Sequence, residues 1–309
     1  MSNTPQTYHI PVLLKESVDG LNIKPNGTYV DVTFGGGGHS REILKRLGPD
    51  GRLYAFDQDP DAIQNKIDDP RFNLIEGNFA NMKNYLRLEG LKEVDGILAD
   101  LGISSHQINQ PKRGFSIRYD EKLDMRMDKN ADLTAFKVIN YYDEYDLRKI
   151  FSQYGELKNA ATLARTIVKA RSEKPIKTTG ALNEVVSKHF PKLKLNKFLA
   201  KLYQAIRIEV NGELEALKKM LQQAALLIKP GGRLSVISYH SLEDRLVKRF
   251  IRDGLFEGQP EKDFYGNISV PFKKKGKLII PSEMEIEKNP RARSAKLRIA
   301  ERIEMPYKL

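Results

Sequence analysis

Four consecutive glycines, Gly35–Gly38, stand between an apolar run and an amphipathic one. Few arrangements accommodate that. Tyr29, Val30 and Val32 read as a short buried strand, with Asp31 inside it near its end. After His39 and Ser40, residues Ile43, Leu44 and Leu47 mark one face of a helix. Strand, glycine turn and helix in that order form a nucleotide-type binding corner. Glycine is needed where the backbone takes positive φ and where a ligand lies against it. A flexible linker would not carry periodic apolar segments on both flanks.

The same unit then recurs. Arg52–Asp57 reads as a second strand ending in an acid, and Asp59-Pro60-Asp61 opens a helix with negative charge at its start. Asp57 lies about 22 residues beyond Gly35, the offset at which a carboxylate meets ribose hydroxyls. Arg71–Glu76 is a third strand running into Gly77-Asn78-Phe79-Ala80, and Leu86 to Leu91 closes another helix. Val94–Asp100 is a fourth strand, again ending in an acid, with Leu101–Gln107 as a polar loop. Alternating strands and helices predict a doubly wound parallel α/β sheet that binds ligands at its carboxyl edge.

From about Pro111 to Lys201 no strand pattern is present and helices dominate, as in Ala160–Arg171, where Ala160, Leu163, Ala164 and Ile167 share a face. This predicts an inserted helical domain over 111–205, within a sheet domain made of 1–110 and 206–309. The sheet pattern resumes with a long helix over Leu214–Ile228, a break at Lys229–Arg233 and a fifth strand at Leu234–Ser238. Tyr239–Arg245 reads as a loop, 252–290 as irregular, and Arg291–Glu301 as a closing edge strand.

Composition narrows the partners. The net charge is +12, which favours a polyanion, nucleic acid first. Lys112-Arg113, Lys192 to Lys201, Lys273–Lys275 and Arg291 to Arg298 are the candidate basic patches. Cysteine is absent, so disulfides, thiolate nucleophiles and cysteine zinc sites are excluded. The five His residues show no ligand spacing, so no metal is expected. No stretch approaches the ~20 apolar residues of a membrane span. The N-terminal MSNTPQTYHIPVLLKES lacks a signal-peptide pattern, and a cytoplasmic location is expected.

Taken together, HIPVLLKE, DVTFGGGGHS, FDQDP, DGILADLGISS, LDMRMD, QAIRIEVNGEL, KPGGRLSVISYHSLEDR and NPRARSAKLR resemble the MraW-type family, the bacterial ribosomal RNA small-subunit methyltransferases H. The resemblance covers nearly the whole chain. It implies a Rossmann-like class I methyltransferase fold interrupted by a helical domain. It also implies S-adenosyl-L-methionine as methyl donor, and N4-methylation of a cytidine in the decoding region of 16S ribosomal RNA within the small subunit. Gly37, Gly38 and His39 would then hold the methionine side of the cofactor, Asp57 the ribose, and Phe79 the adenine region. Asp100 and Gln107 would complete the pocket, and Asp31 and Gly35 would shape it. Asn78 stands where many methyltransferases carry an acid for the adenine amino group. Leu101-Gly102-Ile103-Ser104 replaces the Pro-Pro-aromatic run of many amino-methyltransferases, so the partner stacking on the target base is unassigned. A homodimer is left open.

The N4 amino group of cytosine is conjugated with its ring and is a poor nucleophile. An acceptor for its N–H would let the nitrogen rehybridise. Asp100 is the first candidate for that catalytic place and His240 the second. Two rival readings share the corner. A nicotinamide-dependent dehydrogenase would require the G-x-G-x-x-G form, which this chain lacks. A non-catalytic RNA-binding assembly factor would not need acids at three strand ends.

Overall fold

The computed structural model describes residues 11–190, 192–262, 264–266 and 268–304, with the side chains of 105 and 106 left out. His9 and Ile10, at the start of the HIPVLLKE stretch, lie outside the described residues. The chain divides into two units. One comprises Met1–Gly102 and Leu214–Leu309, the other Ile103–Glu213. These divisions fall eight residues to either side of the boundaries expected at 110 and 206.

The first unit is built on a seven-stranded sheet. Its strands are β1 (Thr28–Asp31), β2 (Arg52–Asp57), β3 (Phe72–Glu76), β4 (Val94–Asp100), β5 (Ile228–Ser238), β6 (Phe272–Ile279) and β7 (Lys296–Arg302). The order is β3-β2-β1-β4-β5-β7-β6. The first five strands pair in parallel, and β7 runs antiparallel to both β5 and β6. The direction of winding reverses between β1 and β4, the place where open α/β sheets bind ligands.

Helices α1 (Leu14–Gly20), α2 (Gly38–Arg46), α3 (Pro60–Ile63) and α4 (Met82–Leu88) follow in the first half of this unit. The near-continuous apolar runs of the central strands have a direct cause: they serve both faces. Val30, Phe56, Ile97 and Ala99 pack with Met82 and Leu86 of α4. Tyr29, Leu53, Ala55 and Leu98 pack with Val18 of α1 and Ile43 and Leu44 of α2. Gly96 is required where the Tyr29 ring crosses the sheet, because an added Cβ would lie 3.0 Å from that ring.

The second unit carries α5 (Ser105–Asn109), α6 (Ala135–Tyr141), α7 (Glu144–Gln153), α8 (Ala160–Glu173), α9 (Thr179–Ser187) and α10 (Leu195–Asn211). Its core gathers Phe151, Leu163, Ile167, Leu182, Leu202 and Ile206. Arg113, expected in a basic patch, is instead buried here, donating from Nη2 to the carbonyls of Arg126 and Met127.

The chain returns to the sheet through α11 (Glu213–Leu227), α12 (Ser241–Asp253) and α13 (Glu283–Lys288). Four expectations need correction. The polar loop after β4 contains α5 from Ser105 onward. The helix expected to reach Ile228 stops at Leu227, because β5 begins at Ile228 and pairs there with Val94. Residues 252–290 are not irregular throughout, since they contain β6 and α13. β7 is therefore an inner strand, and β6 takes the sheet edge.

Candidate functional site

The glycine corner follows from its local geometry. Gly35 and Gly37 adopt positive φ of 51° and 73°, which a side chain would strain. Gly37 is also the residue before α2, and a Cβ there would press on the Phe34 ring at 2.8 Å. A Cβ on Gly38 would lie 2.1 Å from Pro11 Cγ. Gly36 differs from these: nothing lies within 4 Å of where its Cβ would be, so its backbone faces open space. A bend whose neighbours are packed and whose middle is open is a cradle for a ligand. Asn65 Nδ2 donates to the Gly35 carbonyl at 3.1 Å, and Arg41 Nη1 donates to that of Gly36 at 2.6 Å.

Three acids reach the carboxyl edge from neighbouring strands β2, β1 and β4. Asp31 is fully buried. Its Oδ2 accepts from Ser40 Oγ at 2.7 Å and its Oδ1 from the Thr33 amide at 3.1 Å. Thr33 Oγ1 in turn accepts from the Asp100 amide at 2.6 Å, which ties the ends of β1 and β4 together. Asp57 accepts from the Gly35 amide through Oδ2 and from the Asp59 amide through Oδ1, both at 2.8 Å. One carboxylate thus holds both the glycine corner and the start of α3. Loss of solvent still dominates at Asp57: it outweighs the two amide donors and, with Asp59 and Asp31 nearby, pushes the group up to about 6.

Asp100 is set differently. Tyr239 Oη donates to its Oδ1 at 2.7 Å, leaving Oδ2 3.8 Å from His39 Nδ1. Desolvation raises Asp100 to about 6, Asp31 and Glu243 add repulsion, and His39 and Tyr239 oppose the rise. The Tyr239 hydroxyl is pushed well above its ordinary value by burial first and then by the charge of Asp100. His39 is buried, with Nε2 3.3 Å from the Val12 carbonyl.

His240 takes a place in the helix start rather than on a loop. Its Nδ1 accepts from the Glu243 amide at 3.4 Å, while Glu243 Oε2 accepts from the Tyr239 and His240 amides at 2.8 and 3.3 Å. This is a reciprocal capping box at α12. His240 Nε2 is 3.2 Å from Glu243 Oε1, without hydrogen-bond alignment.

The structure therefore brings Gly37, Gly38, His39, Asp57 and Asp100 to one sheet edge. Phe79 follows β3 on a short 3-10 turn, where it packs partly against the core. Asn78 caps that turn through the Ala80 amide and donates from Nδ2 to Gln58 Oε1 at 2.8 Å. Gln107 belongs to the helical unit, where its Oε1 accepts from the Ser104 amide at 3.0 Å. Sequence reasoning missed Tyr239, Thr33 and Ser40 as partners of the acids. Thr33 and Tyr239 offered no signal beyond polar residues just past strand ends, and Ser40 none beyond its place in the first turn of α2.

The arrangement suits a cationic nucleoside. Two carboxyls raised to about 6 by desolvation would be favoured in ionised form by a positive charge placed among them. A dinucleotide, whose bridging pyrophosphate is anionic, would be repelled by three acids on one edge.

The sequence model of the MraW methylase family matches residues 6–303. The chain is 64% identical over 300 residues to a protein of Flavobacterium johnsoniae named ribosomal RNA small subunit methyltransferase H, covering 97% of this chain and 99% of that one. Proteins of the same name from Cytophaga hutchinsonii and Bacteroides thetaiotaomicron are 61% and 56% identical. They cover 96% and 98% of this chain and 99% and 100% of their own lengths.

Proposed function

The chain belongs to the MraW methylase family, and from that premise we propose that it methylates the exocyclic N4 of a cytidine in the decoding region of 16S ribosomal RNA, with S-adenosyl-L-methionine as donor. The observation that carries this reading is the trio Asp31, Asp57 and Asp100 at the ends of three adjacent strands beside an open glycine bend. When bound, the donor supplies an electrophilic methyl group on a positively charged sulfur.

The chain's own residues supply position and charge. Gly35–Gly38 receive the amino-acid end of the donor, with His39 behind them. Asp57 retains lone pairs beyond its two amide bonds and accepts from the ribose hydroxyls. Phe79 meets the adenine. Asp100 Oδ1 is occupied by Tyr239, so Oδ2 is the oxygen that accepts an N–H of the target amino group. With its pKa about 6, Asp100 is mostly ionised at neutral pH and can serve as acceptor. Alignment of nitrogen, methyl and sulfur then supplies much of the rate, since in-line displacement rewards fixed geometry. His240 is a positioning residue, because it holds the start of α12 and so the backbone of Tyr239.

The target base must be unpaired or leave its stack to reach this edge, at a cost of a few kcal/mol. The test is to incubate the protein with small-subunit RNA and donor carrying a labelled methyl, digest the RNA, and identify the labelled nucleoside by mass. The expected product is N4-methylcytidine. Label on another base or another atom, or none, would overturn the proposal.

A further inference from the structure

A second feature of the sheet unit lies away from the acids. A cavity of ≈ 500 Å³ opens among α12, β6 and β7. Ile251, Phe272 and Ile299 give it apolar walls, and Lys248, Lys274 and Lys277 also line it. The volume falls within the range of sites that hold small organic groups. Its cations are unequal. Lys275 is paired with Glu301 at 3.0 Å, and Arg298 with Asp244 at 2.7 Å. Among the described residues, Lys248, Lys274 and Lys277 have no such acidic partner. Lysines on an edge strand can serve only to deter strand pairing, but that role requires no cavity beneath them and no cation from a helix.

We infer that this cavity is a second RNA subsite, which takes one unpaired nucleotide of the substrate strand with its base against the apolar walls and three neighbouring phosphates of that strand on Lys248, Lys274 and Lys277. The inference rests on the RNA substrate proposed above. Lys274 and Lys277 flank Gly276, whose φ of 70° falls within the register shift between Lys275 and Ile279, and both line the same cavity, an array of separate cations suited to a run of phosphates rather than to a lone anion. The lining side chains are apolar or cationic, with no side-chain amide or carboxylate to read a base edge. The contact is therefore tolerant of sequence and works by apolar contact and charge. It secures the strand while selection of the target cytidine occurs at the acid edge.

The test compares the full chain with a Lys248→Ala/Lys274→Ala/Lys277→Ala variant and with the matching triple Lys→Arg variant. RNA affinity is measured over a salt series, with kcat, KM and donor affinity alongside. Three phosphate contacts on a single strand contribute about 2 to the slope of log affinity against log salt. The alanine variant should lose that slope, and its KM should rise by up to roughly fifty-fold at about 0.15 M salt. Its kcat and donor affinity should stay at the wild-type level, and the arginine variant should bind RNA like wild type. In wild type, RNA carrying 4-thiouridine should crosslink to the β6 peptide.

An unchanged slope and KM, with wild-type methylation intact, would overturn the subsite alone. Lysine-dependent binding to anionic vesicles with unaltered RNA affinity would also overturn it, in favour of a lipid headgroup. A wild-type protein that neither binds nor methylates RNA would remove the subsite together with the RNA reading.

Discussion

Replacing Asp57 separates a binding role from a structural one, and the structure sets the size of each. Its carboxylate accepts from two backbone amides, Gly35 and Asp59, through different oxygens. Asp57→Ala leaves both amides unanswered in a buried place, at about 1–3 kcal/mol each. Part of that is offset, because a carboxyl raised to about 6 by desolvation is also removed. Asp57→Asn is no gentler, since one side of its amide would aim an NH2 at a backbone N–H. For the donor, loss of charge-assisted bonds to the ribose removes about 1.5–3 kcal/mol, which is a roughly 10- to 150-fold weaker Kd. Calorimetric titration with S-adenosylhomocysteine reads the Kd, and thermal melting of the apo protein reads the stability. Both variants should melt as folded proteins and bind at least tenfold more weakly. Wild-type affinity in Asp57→Ala would refute the ribose assignment. A lowered Tm with no change in Kd would leave Asp57 a purely structural acid.

The remaining predictions follow from the same edge. Asp57 and Asp100 have folded pKa values raised to about 6, so both lose charge as pH falls through that value, and a cationic donor should bind more weakly. Each group protonating in the free protein weakens binding about tenfold at one pH unit below its pKa, and a pH-independent Kd between 7.5 and 5 would contradict the charge argument. In the apo protein the sign is the reverse: raised carboxyl pKa values oppose folding above their unfolded values, so that penalty should shrink, and Tm rise by this contribution, as pH falls from 7 toward 5. Tyr239→Phe removes a bond that holds Asp100 down, so the lower limb of the kcat–pH profile should move up by about one to two units, and donor affinity near neutral pH should weaken by up to about tenfold and recover at higher pH. His240→Ala should cost about 1 kcal/mol of stability through the lost cap with kcat within a few-fold, and a hundredfold fall in kcat at unchanged Tm would instead make it catalytic. Gly37→Ala, at φ 73°, should lower stability by about 1–2 kcal/mol and weaken donor binding, read by melting and calorimetry together.

Much of the sheet was legible because its central strands are buried on both faces and read as apolar runs ending in acids. The glycine bend announced itself, since only glycine serves at Gly35 and Gly37. β6 was invisible for the opposite reason. Its Lys273-Lys274-Lys275-Gly276-Lys277 run faces solvent almost throughout, so no apolar alternation marks it. With β6 unseen, β7 could only be read as an edge. The start of α12 was hidden by its own capping chemistry, because Tyr239-His240-Ser241 and Glu243-Asp244 are polar where a helix begins. The Tyr239–Asp100 bond joins residues 139 apart in sequence, and pairing at that separation depends on β4 lying beside β5, which no local pattern encodes. Arg113 shows the converse limit, since a cation in a basic run can turn inward when backbone carbonyls await it.

Diffraction from crystals grown with S-adenosylhomocysteine would locate the nucleoside on the sheet edge. The ribose hydroxyls should lie on Asp57, the amino-acid end against the bend at Gly36, and the sulfur near the Asp100 side of the edge. Density for the nucleoside anywhere else, or at this edge with Asp57 and Asp100 both turned from it, would rule out this edge as the donor site.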